Sequence, residues 1–118
     1  MSVLRHDQRL FVSIRRGRLA DPSAAPAAGE RTEVLASLGN VVVEQILTGR
    51  LDEPVDFDQP HDEWVVVLAG GATLEVGSEL LELGPGDWVL LPARTPHRLV
   101  RARPGTSWLA VHRLPAPA

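Results

Sequence analysis

From Val41 onward the chain is a series of short β-prone runs separated by glycine- and proline-rich turns, and that spacing leaves few folds open. Residues 41–47 are apolar and β-branched, 54–58 alternate, and 64–68 are apolar throughout. Residues 72–76, 79–83, 88–91, 97–101 and 107–113 complete the set. Gly70-Gly71, Gly77-Ser78, Gly84-Pro85-Gly86-Asp87 and Pro104-Gly105 supply the turns. About eight short strands at this spacing predict an all-β sandwich or barrel.

The remaining segments read differently. Residues 10–16 suggest a short strand, and 21–29 a proline- and alanine-rich linker. Residues 30–38 have the composition of a short helix, with Gly39-Asn40 suited to a left-handed cap. This divides the chain into an N-terminal arm and linker over 1–29, a barrel over 30–114, and a frayed tail over 115–118.

Composition excludes several chemistries. With 118 residues the chain has room for one core. It contains no Cys, Lys or Tyr, which removes thiolates, Schiff-base lysines and phenolic acids. Catalysis must then rest on His, Asp, Glu, Ser, Thr, Arg or a bound metal. A net charge of −3 argues against a nucleic-acid surface. No apolar run reaches membrane-spanning length, and no secretory leader is evident, so a cytoplasmic location is expected.

Strand parity sorts the faces around Glu63. If Glu63 points inward, Val65 and Val67 follow it, and Trp64, Val66 and Leu68 point outward. That outward row needs cover, from the N-terminal segment or from a second copy of the chain.

Residues 56–112 resemble the cupin superfamily of small β-barrels, which carries two motifs. Glu63 and Gly70 fit the first motif at the right spacing, with Asp56 and Asp58 at its two histidine positions and Gly49 one place off its leading glycine. Gly86, Pro92 and His97 fit the second, with Arg94 in place of its inner glycine and Arg101 at its asparagine position. The run Asp58-Gln59-Pro60-His61-Asp62-Glu63-Trp64 and the late Trp108-Leu109-Ala110-Val111-His112 resemble a subgroup of short cupins.

The resemblance implies a jelly-roll barrel that holds one divalent ion and a small organic molecule in its mouth. Metal ligands would come from His97, Glu63, Asp58 and His61. The ion would be Mn²⁺, Fe²⁺, Ni²⁺ or Zn²⁺, with the oxygen-rich set leaning away from a closed zinc site. Glu63 or Asp58 would double as general base, and His112, Arg94 and Gln59 would contact substrate. Two histidine positions have become carboxylates, so the alternatives are a metal-free ligand-binding or sensory barrel and a structural interaction module. Cupins commonly pair through their sheets, which adds the expectation of a homodimer.

Overall fold

The computed structural model describes residues 13–116. Nine strands are described: β1 (Glu30–Leu38), β2 (Val41–Thr48), β3 (Val55–Phe57), β4 (Asp62–Ala69), β5 (Ala72–Val76), β6 (Glu79–Leu83), β7 (Trp88–Leu91), β8 (His97–Ala102) and β9 (Thr106–Arg113). They form two antiparallel sheets, a five-stranded one ordered β1-β2-β9-β4-β7 and a four-stranded one ordered β3-β8-β5-β6. All eight strands read from residue 41 onward are present. Among the described residues no helix is long and apolar enough to cross a membrane.

The expected helix over residues 30–38 is instead strand β1, paired with β2 from Glu30↔Thr48 to Leu38↔Val41. Leu38-Gly39-Asn40-Val41 is a two-residue hairpin, with Gly39 at φ 62°. A left-handed glycine serves a hairpin turn as well as a helix cap. Ladder bonds to β2 then outweigh the weak helical preference of the segment. The only helical turn described is a 3-10 turn at Pro22–Ala24, where the Asp21 carboxylate accepts from the Ser23 amide.

The strand expected at 10–16 lies partly outside the described residues, and 13–16 carry no strand. The arm reaches the outer face of the five-stranded sheet at Ala20. There the Gln45 side-chain carbonyl accepts from the Ala20 amide, and its amide group donates to the Ala20 carbonyl. Gln45 also donates to the Ser107 hydroxyl, which anchors it to β9.

The core sits between the sheets. Val65, Val67, Trp108 and Ala110 from one sheet meet Leu74 and Leu99 from the other. The parity expected around Glu63 holds, since Glu63, Val65 and Val67 are buried while Trp64, Val66 and Leu68 face outward. Register extends that outward face across the sheet. One row runs Val43–Val111–Trp64–Leu90 and the next Gln45–Leu109–Val66–Trp88.

Two turns position the strands that carry the site. In Gly84–Asp87 the Asp87 amide donates to the Gly84 carbonyl, with Pro85 first and Gly86 second at φ 89°, the arrangement of a type II turn. The loop before β8 holds Arg94 at φ 61°, the only left-handed non-glycine among the described residues. This explains the glycine at the matching place in the family motif. Arg94→Gly keeps the bond from the residue 94 amide to the Gln59 carbonyl. It removes a strain of about 1–2 kcal/mol and adds about 0.5–1 kcal/mol of chain entropy lost on folding. A net gain of about 0.5–1 kcal/mol is expected, read as a higher thermal midpoint. An unchanged or lower midpoint would show that the loop carries no such strain.

Candidate functional site

Between the two sheets lies a cavity of about 150 Å³. The five-stranded sheet contributes Glu30 and Thr32 from β1, Glu44 and Ile46 from β2, Glu63 and Val65 from β4, Leu91 from β7, and Trp108 and His112 from β9. The four-stranded sheet contributes Phe57, Leu74, His97 and Leu99, and Gln59 comes from the loop before β4. The floor is thus apolar and the mouth is acidic and imidazole-rich.

Register brings the polar groups together. Glu63 stands opposite His112, and His112 opposite Val42 two residues from Glu44, so all three polar side chains share the inner face. His112 Nε2 lies 2.7 Å from Glu44 Oε1, and His112 Nδ1 lies 2.9 Å from His61 Nε2. A carboxylate only accepts, so His112 donates from Nε2. A neutral His112 then accepts at Nδ1 from the His61 Nε2–H. The result is a directed chain, His61 to His112 to Glu44.

His97 enters from the other sheet. Its Nδ1–H donates to the Thr95 carbonyl at 2.9 Å, which leaves Nε2 as the ring nitrogen not engaged there. Phe57, its register partner, stacks on the ring at 5.2 Å.

Glu63 is only 7% exposed; its carboxyl has no hydrogen-bond partner among the described residues, and its oxygens are open to the cavity and not sealed in. His112 Nε2, at 4.0 Å, is beyond hydrogen-bonding range. Burial raises the Glu63 pKa above its ordinary 4.5; the pull of His112, His97 and His61 opposes this, and Glu44 adds to it. Glu30, at the rim, is raised as well, first by loss of water and then by the charges of Glu63 and Glu44.

This shift predicts a pH signature. A carboxyl whose pKa is higher folded than unfolded binds its proton more tightly when folded. Its contribution to stability therefore falls as pH rises from about the unfolded value through the folded one. Glu63→Gln removes that loss. The thermal midpoint of the variant should gain on that of the parent as pH is raised from 4 toward neutrality. A difference that stays flat or shrinks over that range would contradict the assignment.

Several residues expected from the sequence gather here, namely Glu63, His97, His112 and Gln59 on the cavity wall and His61 through its bond to His112. Asp58 and Arg94 do not. Asp58 is exposed and lines a separate shallow cleft with Asp56 and Glu75, because it lies just past the end of β3. Asp56 is held outward by Arg98 at 2.6 Å. Arg94 is exposed on its left-handed loop. Glu44 and Glu30 were missed. A lone carboxylate inside the apolar run 41–47, in phase with Val42 and Ile46, was the available signal for Glu44. Glu30 was hidden by the helical reading of its segment.

The donor groups of the described residues do not converge on a point where an ion would sit. Among the described residues no group of three His, Asp or Glu side chains is placed to hold a metal. Both His112 nitrogens are engaged, His61 is turned to His112, and Asp58 stands outside. In this arrangement the residues do not fit a metal centre.

Comparison with known proteins agrees with this architecture. The Cupin domain family profile matches residues 42–112, more than half of the chain, and the protein belongs to that family. A Ralstonia eutropha JMP134 protein provisionally named a mannose-6-phosphate isomerase is 30% identical, with a TM-score of 0.70 over 84% of this chain and 100% of its own. KdgF from Halomonas sp. is 21% identical, with a TM-score of 0.65 over 71% of this chain and 79% of its own. A cupin superfamily protein from Desulfitobacterium hafniense DCB-2 is 18% identical, with a TM-score of 0.65 over 86% of this chain and 94% of its own. The last two share the fold alone. No curated protein matches the chain.

Proposed function

We propose that this cupin binds a small organic molecule in the cavity between its sheets, and that Glu63 handles a proton of the bound molecule. One observation carries the reading: a buried carboxyl without a hydrogen-bond partner faces an apolar-floored space. The carboxyl oxygens open to the cavity, so a ligand donor there would bond Glu63 directly. Burial raises its pKa, the direction that helps a carboxyl hold a proton as well as accept one. The His61–His112–Glu44 chain would fix the tautomer of His112 and hold its ring against the cavity wall. Isomerisation, the activity in the name of the Ralstonia protein, needs such proton transfers. Its phosphorylated substrate is not carried over, since among the described residues the cavity wall holds no arginine to meet a phosphate and the chain has no lysine.

Ligand titrations followed by NMR test this. A mixture of small alcohols, amines and acids should move the Trp108 indole N–H and the His97 and His112 ring signals. Shifts confined to the outer sheet face, or none, would remove the reading.

The divalent ion implied by the family is the second reading. His97 favours it, because a ring N–H held by a backbone carbonyl is the usual backing of a metal-ligating imidazole. It requires His61 or His112 to leave its present partner. Elemental analysis after incubation with Mn²⁺, Fe²⁺, Ni²⁺ and Zn²⁺ should then give about one ion per chain, lost in His97→Ala. A value near zero removes it.

We also propose that two copies pair through the outer face of the five-stranded sheet, in the cytoplasm. The two outward rows carry no charge from β2 to β7, and Trp88 is 59% exposed beside Trp64. Light scattering giving a monomeric mass at tens of micromolar would exclude this pairing.

A further inference from the structure

The same cavity says something about the charge of what it takes, and that inference rests on its being a ligand site. Glu30, Glu44 and Glu63 all line it, and among the described residues no arginine does. Lysine is absent from the chain. The nearby arginines are turned outward: Arg98 onto Asp56, Arg113 onto Asp62, and Arg94 into solvent. The imidazoles on the wall are His97 and His112, with His61 behind His112. Of the three carboxyls, Glu44 is engaged by His112. Glu63, more than nine-tenths buried, has no hydrogen-bond partner among the described residues, stands 4.0 Å from His112 Nε2 and is open to the cavity.

An anionic ligand would approach these carboxyls with no fixed positive charge among the described residues to offset the repulsion. A cationic head would do the reverse. An ammonium group is compact and carries three donors, enough to bond Glu63 and reach a second acceptor at the mouth. Behind the mouth, Val65, Leu74, Leu99 and Trp108 form an apolar floor that matches an alkyl tail. The Trp108 indole N–H is already committed to Thr48, so this wall offers no competing donor. A cavity of about 150 Å³ suits a short tail of a few carbons.

We propose that the ligand is a small organic cation, a primary ammonium on a short alkyl chain, held by Glu63. The test titrates n-butylammonium, 1-butanol and butyrate into the protein at pH 8 in chelator-containing buffer, with binding read by calorimetry and by the Trp108 indole N–H signal. Butylammonium should bind at least about tenfold more tightly than 1-butanol, as one charge-assisted contact allows, and butyrate should bind least. Glu63→Gln should abolish the preference, so that butylammonium binds no more tightly than 1-butanol. A thermal melt of that variant confirms that it is folded. If 1-butanol binds as well as butylammonium, or butyrate binds better, the cation inference fails while the cavity reading stands. If the preference survives in Glu63→Gln, Glu63 is not the partner and the inference fails in that form. If none of the three binds, both fail together.

Discussion

Trp108→Ala is expected to destabilise the fold by about 3–5 kcal/mol, the range for emptying a core position of an indole. Trp108 is buried within the main cluster, against Val67, Leu99 and Ala110. It also donates from its indole nitrogen to the Thr48 hydroxyl at 3.0 Å, and Thr48 is wholly buried. The substitution therefore removes packing and a buried donor together, next to a space that already exists. Trp108→Phe separates the two losses, because phenylalanine refills most of the volume without the N–H. It should recover more than half of the stability in a chemical denaturation series. A loss below about 1 kcal/mol for the alanine variant would show that the sheets close over the gap.

Gly70→Val is expected to have the second largest effect, about 3 kcal/mol or more. Gly70 turns β4 into β5 at φ 85°, where a β-branched residue is strained by about 1–3 kcal/mol. Crowding adds to this. A Cβ here would stand 2.5 Å from the Thr106 hydroxyl oxygen and 2.8 Å from the Thr106 backbone Cα. That hydroxyl accepts from the Gly71 amide and reaches the Arg103 carbonyl, and breaking these bonds in a buried site costs about 1–3 kcal/mol more. Far-ultraviolet melting should show a midpoint lowered by about 10 °C. A midpoint within a degree or two of the parent would mean that the β4–β5 turn relaxes without strain.

The architecture was legible where a local signal and the tertiary structure agree. Strands after Val41 announce themselves, since each alternating or β-branched run ends at a turn that only glycine, proline or asparagine makes well. Segment 30–38 failed because its alanine, leucine and glutamate residues suit a helix, and only pairing with β2 decides otherwise. Within the site, Glu63, His97, Gln59, His112 and His61 could be found by parity and motif spacing. Asp58 could not be excluded by spacing alone. Its fate depends on where β3 ends and on Phe57, not Asp58, turning inward. Glu44 and Glu30 become site residues only through strands that approach from far away in sequence.

The position of β9 has a consequence for how the protein is made. It is the middle strand of the five-stranded sheet, between β2 and β4, and it spans Thr106–Arg113. During synthesis the hairpin β1–β2 and the pair β4–β7 can exist before it, but each shows an open edge toward the gap it will fill. The Glu44–His112 bond closes a separation of 68 residues and the His61–His112 bond one of 51, so the mouth cannot assemble without β9. Such long-range closure is slow, and the unfilled edges are templates for pairing between nascent chains. A ribosome stalled before residue 106 would hold two half-sheets and no site. Once β9 inserts, it joins β2 and β4 into one ladder and brings in Trp108 and Ala110, completing the core in one step.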